Sequence, residues 1–198
     1  MGKSTQARLL AQALEDRGIA AELTREPGGT PGAEAIRELL LHPPGEGWGR
    51  EAEALLFAAA RSDHVARKIE PAITRGAWVI CDRFLDSSRA YQGIAGGLSD
   101  AKVCAMHDIG SGGLLPDLTI VIDASAAQVA NRLAARDGGQ SDAIGGRAPD
   151  YHSAVNAAFL DFARQEPDRF RVIDGSGSIE DVHARVLRAV GEFFGVSF

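Results

Sequence analysis

The sequence predicts a three-layer α/β/α fold, in which helices cover both faces of a parallel sheet. Strand-like and helix-like segments alternate along the chain. The strand-like segments are continuous apolar runs, which is typical of parallel strands buried on both faces. Polar residues follow several of these runs, at the edge where α/β sheets bind ligands. Because neither an internal repeat nor a linker is evident, we predict that residues 1–198 form a single domain.

The first half of the chain holds two of the predicted strands. In order we predict helix 4–17, strand 19–24, helix 32–41, helix 51–74 and strand 77–81. Apolar residues at helical spacing define the helices, and short apolar runs bounded by turn residues define the strands. Gly18 ends the first helix, and an interruption or end is expected near Pro71 because proline lacks an N–H for the helical ladder.

The second half continues the alternation. In order we predict helix 99–109, strand 118–123, helix 126–136, helix 150–165, strand 170–173 and helix 179–194. The β-branched run at 118–123 is too apolar for an edge hairpin, so it indicates a buried strand. Residues 137–149 are rich in glycine and poor in apolar side chains, which indicates a loop.

Composition excludes several classes of protein. The net charge of −6 argues against a nucleic-acid-binding protein, which favours a basic face. No apolar run reaches the length that spans a membrane, and no signal peptide precedes the first helix. Cys81 and Cys104 lack metal-ligand spacing, and Cys81 reads as a packed thiol. These features favour a cytoplasmic protein without a nucleic-acid or membrane partner.

The chain begins with Met1-Gly2-Lys3-Ser4-Thr5, which reads as the second half of G-x-x-x-x-G-K-[ST]. In that motif the glycine lets the backbone approach phosphate oxygens, the lysine reaches the β- and γ-phosphates, and the hydroxyl binds Mg²⁺. The helix that follows aims its N-terminal dipole at the same anion. An ordinary helix start with Ser and Thr as caps is the alternative.

A second polar group follows the strand at 77–81. Asp82 is placed where a carboxylate helps to position the Mg²⁺ hydration shell in P-loop enzymes. The alternative is that Asp82 caps a turn at the end of the strand. Arg83 carries a guanidinium suited to bidentate phosphate binding, or else it forms a surface ion pair.

Phe57 and Arg61 lie four residues apart on one predicted helix and so share a face. A base could stack on the ring while the guanidinium binds its carbonyl edge, but periodicity alone favours core packing for Phe57. Residues 86–92, which follow the Asp-Arg pair, read as a loop with no assignable role.

Taken together, these blocks resemble bacterial thymidylate kinase, a P-loop nucleoside monophosphate kinase family. The similarity rests on Gly2-Lys3-Ser4-Thr5-Gln6, Thr24-Arg25-Glu26-Pro27-Gly28-Gly29-Thr30, Glu53-Ala54-Leu55-Leu56-Phe57-Ala58-Ala59-Ala60-Arg61, Asp82-Arg83-Phe84, Ser87-Ser88, Ala90-Tyr91-Gln92-Gly93 and Pro116-Asp117-Leu118. Their order and spacing, more than any single block, carry the resemblance.

The resemblance implies the P-loop kinase fold and transfer of the ATP γ-phosphoryl group to dTMP, giving dTDP and ADP in dTTP biosynthesis. It implies Mg²⁺ as cofactor, ATP and dTMP as ligands, and a homodimer. The implied ATP-binding residues are Gly2, Lys3, Ser4 and Thr5, and the implied metal-binding residues are Ser4 and Asp82. The implied dTMP-binding residues are Arg25, Glu26, Phe57, Arg61, Arg83, Ser88, Arg89 and Tyr91. Lys3 and Arg83 are also expected to act in catalysis.

The segment at 137–149 corresponds to the mobile lid over ATP in the family. Family lids often read Asp-Arg-apolar-Glu where this chain has Asp142-Ala143-Ile144-Gly145, and the helix that follows often carries an arginine where Asn156 stands. An arginine that contacts transition-state charge is worth about 10³–10⁵ in rate. Arg132, Arg136 and Arg147 remain, and we expect Arg136 or Arg147 to supply that contact.

The family also has a strand, central in its sheet, and the first half of the P-loop ahead of Gly2. We therefore expect that Met1 is a miscalled start. The alternatives are a catalytically impaired nucleotide-binding paralogue, an N-terminally truncated gene product, or a kinase for another pyrimidine nucleotide.

Overall fold

The computed structural model describes residues 2–123 and 146–198. The α-helices in this part of the chain are α1 (Lys3–Glu15), α2 (Pro31–Leu41), α3 (Arg50–His64), α4 (Glu70–Thr74), α5 (Leu85–Ser88), α6 (Asp100–Ser111), α7 (Pro149–Gln165) and α8 (Ile179–Phe194). The strands are β1 (Ala21–Arg25), β2 (Trp78–Asp82), β3 (Thr119–Asp123) and β4 (Phe170–Asp174). The predicted helix at 126–136 and most of the segment at 137–149 lie outside the described residues.

The four strands form two parallel pairs. β1 pairs with β2 and β3 pairs with β4, and within the described ranges these are two separate two-stranded sheets. In the first pair Arg25 lies opposite Asp82, so the carboxyl ends of β1 and β2 lie side by side.

Helices pack against both pairs of strands in an α/β/α arrangement. α1 contacts β1, β2 and α8, while α7 and α8 both contact β4. One core cluster lies under α7 and includes Val121, Phe162 and Phe170. No helix in the described part of the chain is long and apolar enough to cross a membrane.

One local prediction was confirmed and one was wrong. The long helix at 51–74 is interrupted near Pro71, by a π-helical segment at Val65–Ile69. Pro71 itself lies in the first turn of α4, where a missing N–H costs little. Residues 86–92 are not a loop, because α5 continues into a second π-helical segment, Arg89–Ala95. Such wide turns are frequent at functional sites.

Candidate active site

The amino end of α1 lies against the carboxyl end of β2. Gly2 occupies the N-cap position with φ of 122°, a conformation that favours glycine. The Ser4 hydroxyl donates a hydrogen bond to Asp82 Oδ2. Asp82 Oδ1 is buried and has no hydrogen-bond partner in the described part of the chain. This corner therefore combines a helix N-terminus with a buried carboxylate oxygen that still needs a donor or a cation.

The loop after β1 joins the same edge. The Glu26 N–H donates to the carbonyl oxygen of Asp82 at 3.1 Å. The first residue after β1 is thus in direct contact with the last residue of β2, and Asp82 in turn contacts Ser4. The structure therefore brings together three polar groups that the sequence placed at three strand or helix ends.

A buried ion cluster lies next to this edge. We call it the Glu26 cluster, and its members are Thr24, Glu26, Arg61, His64 and Ser88. Arg61 Nε donates to Glu26 Oε2 at 2.8 Å, and its Nη2 donates to Ser88 Oγ at 2.7 Å. Only 3% of the Arg61 side chain is exposed. The guanidinium is thus fixed by a carboxylate on one side and by a hydroxyl on the other.

His64 completes this cluster, and sequence reasoning missed it. Its ring is fully buried, with Nδ1 at 3.1 Å from Glu26 Oε1 and Nε2 at 2.7 Å from Thr24 Oγ1. The carboxylate of Glu26 only accepts, so Nδ1 carries a proton, and in the neutral ring Nε2 accepts from the Thr24 hydroxyl. The available signal was its spacing three residues after Arg61, which places both side chains on one face of α3.

Gly29 lets the loop after β1 lie directly on the His64 ring. Its φ is 94°, and a Cβ at this position would be 2.5 Å from His64 Nε2 and 2.6 Å from Thr24 Oγ1. No real Cβ makes such contacts, so any side chain here would displace the ring or the loop.

Arg25 and Glu26 are adjacent in sequence but differ in environment. About half of the Arg25 side chain (54%) is exposed, and its Nη2 lies 3.0 Å from Glu34 Oε1 on α2. Glu34 also accepts the Gly29 N–H at 2.8 Å. Arg25 is therefore at the rim of the site, while Glu26 lies beneath it.

Arg83 has an unusual backbone conformation, with φ of 74°. Its guanidinium carbon lies 5.2 Å from the centroid of the Tyr91 ring, a cation–π distance. The Cys81 thiol donates to the Arg83 carbonyl at 2.9 Å. Burial, followed by the charges of Glu26 and Asp82, raises the pKa of the Cys81 thiol, which agrees with its prediction as a packed thiol.

Arg89 does not face the other predicted dTMP-binding residues. It belongs to a second ion cluster, the Asp86 cluster, whose members are Asp86, Arg89, Asp100, Thr119, Glu166 and Arg169. Arg89 Nε and Nη2 donate to the Asp100 carboxylate at 2.8 and 2.9 Å, and Nη1 donates to Glu166 at 2.7 Å. Carboxylates therefore occupy all three nitrogens of Arg89.

Asp86 holds the centre of that cluster. Both of its oxygens accept from Arg169 at 2.8 Å, and Thr119 donates to Oδ2 at 2.9 Å. Burial alone would raise the pKa of Asp86, but the hydrogen bonds and charge of Arg169, with Thr119 and Arg89, lower the pKa below its ordinary value. Asp86 is therefore ionised in the folded protein at neutral pH.

Arg147 lies next to Tyr151, whose hydroxyl donates to the Tyr91 carbonyl oxygen at 2.7 Å. It donates to the Tyr151 hydroxyl and, at 2.5 Å, to Glu53 Oε2, while Gln92 donates to the other Glu53 oxygen at 2.9 Å. A cleft of about 300 Å³ is lined by Glu53, Gln92, Arg147 and Tyr151. Half-buried Phe57 is one turn beyond Glu53 on α3. Arg132 and Arg136 lie outside the described residues.

Comparisons with known proteins agree with the resemblance. A family model described as thymidylate kinase matches residues 1–186. The chain is 51% identical to a thymidylate kinase from Rhizorhabdus wittichii over 97% of this chain and 92% of the relative. It is 49% identical to one from Symbiobacterium thermophilum over 96% of this chain and 88% of the relative. A crystal structure of thymidylate kinase from Ehrlichia chaffeensis superposes with a TM-score of 0.76 at 31% identity, covering 96% and 92% of the two chains.

Proposed function

This chain belongs to the thymidylate kinase family, and we propose that its site divides into a donor half for ATP and an acceptor half for dTMP. The reaction is transfer of the ATP γ-phosphoryl group to dTMP, which gives ADP and dTDP for dTTP biosynthesis. The observation that supports this division is that Asp82 is hydrogen-bonded to both Ser4 and Glu26. These two contacts hold the start of α1 beside the ends of β1 and β2.

The donor half consists of Gly2, Lys3, Ser4 and Thr5. Their backbone N–H groups and the α1 dipole favour the ATP phosphates, and Lys3 adds a positive charge. In the family reaction no covalent intermediate with the enzyme is needed, so the contribution of these residues is alignment and charge neutralisation.

The residues present fit a Mg²⁺ ion. Asp82 Oδ1 is buried without a partner in the described chain, Oδ2 is held by the Ser4 hydroxyl, and hard oxygen ligands of this kind suit Mg²⁺. We assign Ser4 and Asp82 to hold the ion, directly or through water. When bound, the ion neutralises charge on the β- and γ-phosphates.

The acceptor half surrounds the Glu26 cluster. We assign Arg83 to the dTMP phosphate, with Arg25 at the rim, since Arg25 ends β1 and Arg83 follows the end of the adjacent strand β2. Arg61 and Ser88 would contact the carbonyl edge of thymine and Phe57 would stack on the ring. Tyr91, beneath the Arg83 guanidinium, would pack under the deoxyribose and disfavour a ribose hydroxyl.

For two of the predicted site residues, Arg89 and Arg147, we propose roles that differ from the predicted ones. Arg89 supports the fold and does not contact dTMP, because its nitrogens are bound by carboxylates. Arg147 joins Glu53 and Tyr151 beside the acceptor half, so we propose that it closes that side. A catalytic contact of Arg147 or Arg136 with the transferring phosphoryl group remains a proposal, which Arg147→Ala and Arg136→Ala test through kcat.

We further propose a single P-loop kinase domain that acts in the cytoplasm as a homodimer. Exposed apolar side chains support a homodimer, including Leu55 on α3 and Ile109 on α6, of which 56% and 89% are exposed. Sedimentation of the purified protein tests this proposal, since a monomer at micromolar concentration contradicts it.

The proposed function is tested by incubating the protein with Mg²⁺, ATP and dTMP and separating the nucleotides. We expect dTDP and ADP in equal amounts, and a kcat/KM for dTMP above that for dUMP by about tenfold or more, as one methyl group allows. Arg83→Met should lower kcat/KM by about 10²-fold, since each lost charge-assisted hydrogen bond costs about 1.5–3 kcal/mol. Exposed Arg164, which pairs only with Asp161 among the described residues, provides the control Arg164→Met. Absence of dTDP, or equal loss in both variants, contradicts the assignment.

A further inference from the structure

We propose that His64 is a positioning residue for dTMP: its ring fixes the Glu26 carboxylate, which in turn fixes the Arg61 guanidinium. The inference rests on the proposed contact between Arg61 and the base. His64 itself does not touch substrate, because its ring is fully buried beneath the loop after β1.

The argument begins with the two oxygens of Glu26. Oε2 accepts from Arg61 at 2.8 Å and Oε1 is bonded to His64 at 3.1 Å. The terminal torsion of a glutamate side chain is soft, so a carboxylate bonded at one oxygen only can rotate. With both oxygens occupied the carboxylate plane is fixed, and the direction of the Arg61 Nε–H is fixed with it.

The ring is in turn fixed on its other side. Thr24 Oγ1 lies 2.7 Å from Nε2, and the Gly29 backbone closes the space around that nitrogen. With the Thr24 hydroxyl donating to Nε2, the proton stays on Nδ1, which is the nitrogen that faces Glu26. The chain of contacts thus runs from β1 through His64 and Glu26 to Arg61 and on to Ser88.

Simple filling of space does not account for these contacts. An apolar side chain of similar size would fill the cavity, but it would leave Glu26 Oε1 buried without a donor. Each ring nitrogen has its own hydrogen-bond partner. We therefore infer that this position requires a side chain with correctly directed hydrogen bonds as well as the right volume.

Two amide side chains separate the roles of the ring nitrogens. Asparagine places its amide nitrogen near the position of Nδ1, and glutamine places it near that of Nε2. His64→Gln should therefore lose the bond to Glu26 and raise the KM for dTMP by about tenfold, the loss of one charge-assisted hydrogen bond. His64→Asn should keep the KM for dTMP within about threefold of that of the unaltered protein. The KM for ATP should stay unchanged in both variants.

The outcomes are distinct. Equal KM values for dTMP in His64→Asn and His64→Gln, or parallel changes in the KM values for dTMP and ATP, would overturn the proposal and leave His64 a packing residue. Arg61→Lys tests the proposed function separately. If it does not raise the KM for dTMP, the role of Arg61 fails; if it does and His64→Gln does not, only the role of His64 fails.

A measurement on the unaltered protein covers the case in which a variant fails to fold. We expect ¹⁵N NMR to show the His64 ring protonated at Nδ1 and unprotonated at Nε2, with both ring signals shifting on addition of dTMP and not of ATP. A ring protonated at Nε2 alone, or one that does not respond to dTMP, contradicts the proposal.

Discussion

The Glu26 cluster is buried and the Asp86 cluster is partly buried, and the two differ in how many of their guanidinium nitrogens donate to carboxylates. In the Asp86 cluster all three nitrogens of Arg89 and of Arg169 donate to carboxylates. In the Glu26 cluster, two of the three Arg61 nitrogens donate to cluster members. A guanidinium that carboxylates saturate stabilises the fold, whereas one that keeps a donor can also bind a ligand. Substitutions in the Asp86 cluster should therefore change the free energy of unfolding, whereas substitutions in the Glu26 cluster should also change the KM for dTMP.

The largest expected effect is on stability, from Asp86→Ala. This change leaves Arg169 without its main partner in a buried site, and breaking a buried ion pair typically costs about 3–5 kcal/mol. We expect the free energy of unfolding, measured by urea denaturation, to fall by about that amount. Asp161→Ala, at an exposed ion pair, is the control and should change it by less than about 1 kcal/mol. Similar losses in the two variants would contradict a stabilising role for the Asp86 cluster.

A matched pair of lysine substitutions tests the comparison most directly. Lysine keeps the positive charge but loses the fork of donors. Arg61→Lys should raise the KM for dTMP by about tenfold or more, while Arg89→Lys should leave it unchanged and lower the free energy of unfolding by about 1.5–3 kcal/mol. Steady-state kinetics and urea denaturation on both variants measure this. A rise in the KM for dTMP in Arg89→Lys would contradict this and support the predicted contact between Arg89 and dTMP.

Acid should weaken the Asp86 cluster. Since the pKa of Asp86 is lower in the folded protein than its ordinary value of 3.8, the folded state binds its proton less readily than the unfolded chain. Its stabilisation is complete above the unfolded pKa and is lost as pH falls through the folded pKa. We expect the free energy of unfolding to decline more steeply below about pH 4 in the unaltered protein than in Asp86→Asn. Parallel curves contradict this expectation.

The smallest effects come from two threonine hydroxyls, one in each cluster. Thr119 donates to Asp86 Oδ2 and Thr24 bonds His64 Nε2. Valine has the same shape without the hydroxyl, so Thr119→Val should lower only the free energy of unfolding, by about 0.5–1.5 kcal/mol. Thr24→Val should also raise the KM for dTMP by about threefold, because the ring loses the bond that holds its proton on Nδ1. An unchanged KM for dTMP in Thr24→Val would mean that only His64 and Glu26, and not Thr24, contribute to positioning Arg61.

The same comparison explains what the sequence could predict. Strand–helix alternation placed Arg25, Asp82 and Arg83 after strand ends, and the parallel register of β1 and β2 brings those ends together. Local spacing also placed Phe57 and Arg61 on one face of α3. These predictions depend on contacts within an element or on the common direction of parallel strands.

The role of Arg89 depends on residues that are far away in the chain. Asp100 and Glu166 lie 11 and 77 positions from it, and no local pattern reveals that both carboxylates reach one guanidinium. His64 was missed for a related reason, because Glu26 and Thr24 are 38 and 40 positions away. The π-helical turn at Arg89–Ala95 was read as a loop because its wide turns have neither helical nor strand periodicity.

The separation of the strands into two pairs has a mechanical consequence. Within residues 2–123 and 146–198 no shared ladder joins the sheets, and the Asp86 cluster links α5 to the residues that begin β3 and precede β4. The groups assigned to the two phosphates lie on the β1–β2 side, whereas Arg147 and Tyr151 reach the site from α7 and the segment before it, on the β3–β4 side. A small rotation of one half against the other would therefore alter the width of the Arg147 cleft while the Ser4–Asp82 contact keeps its geometry.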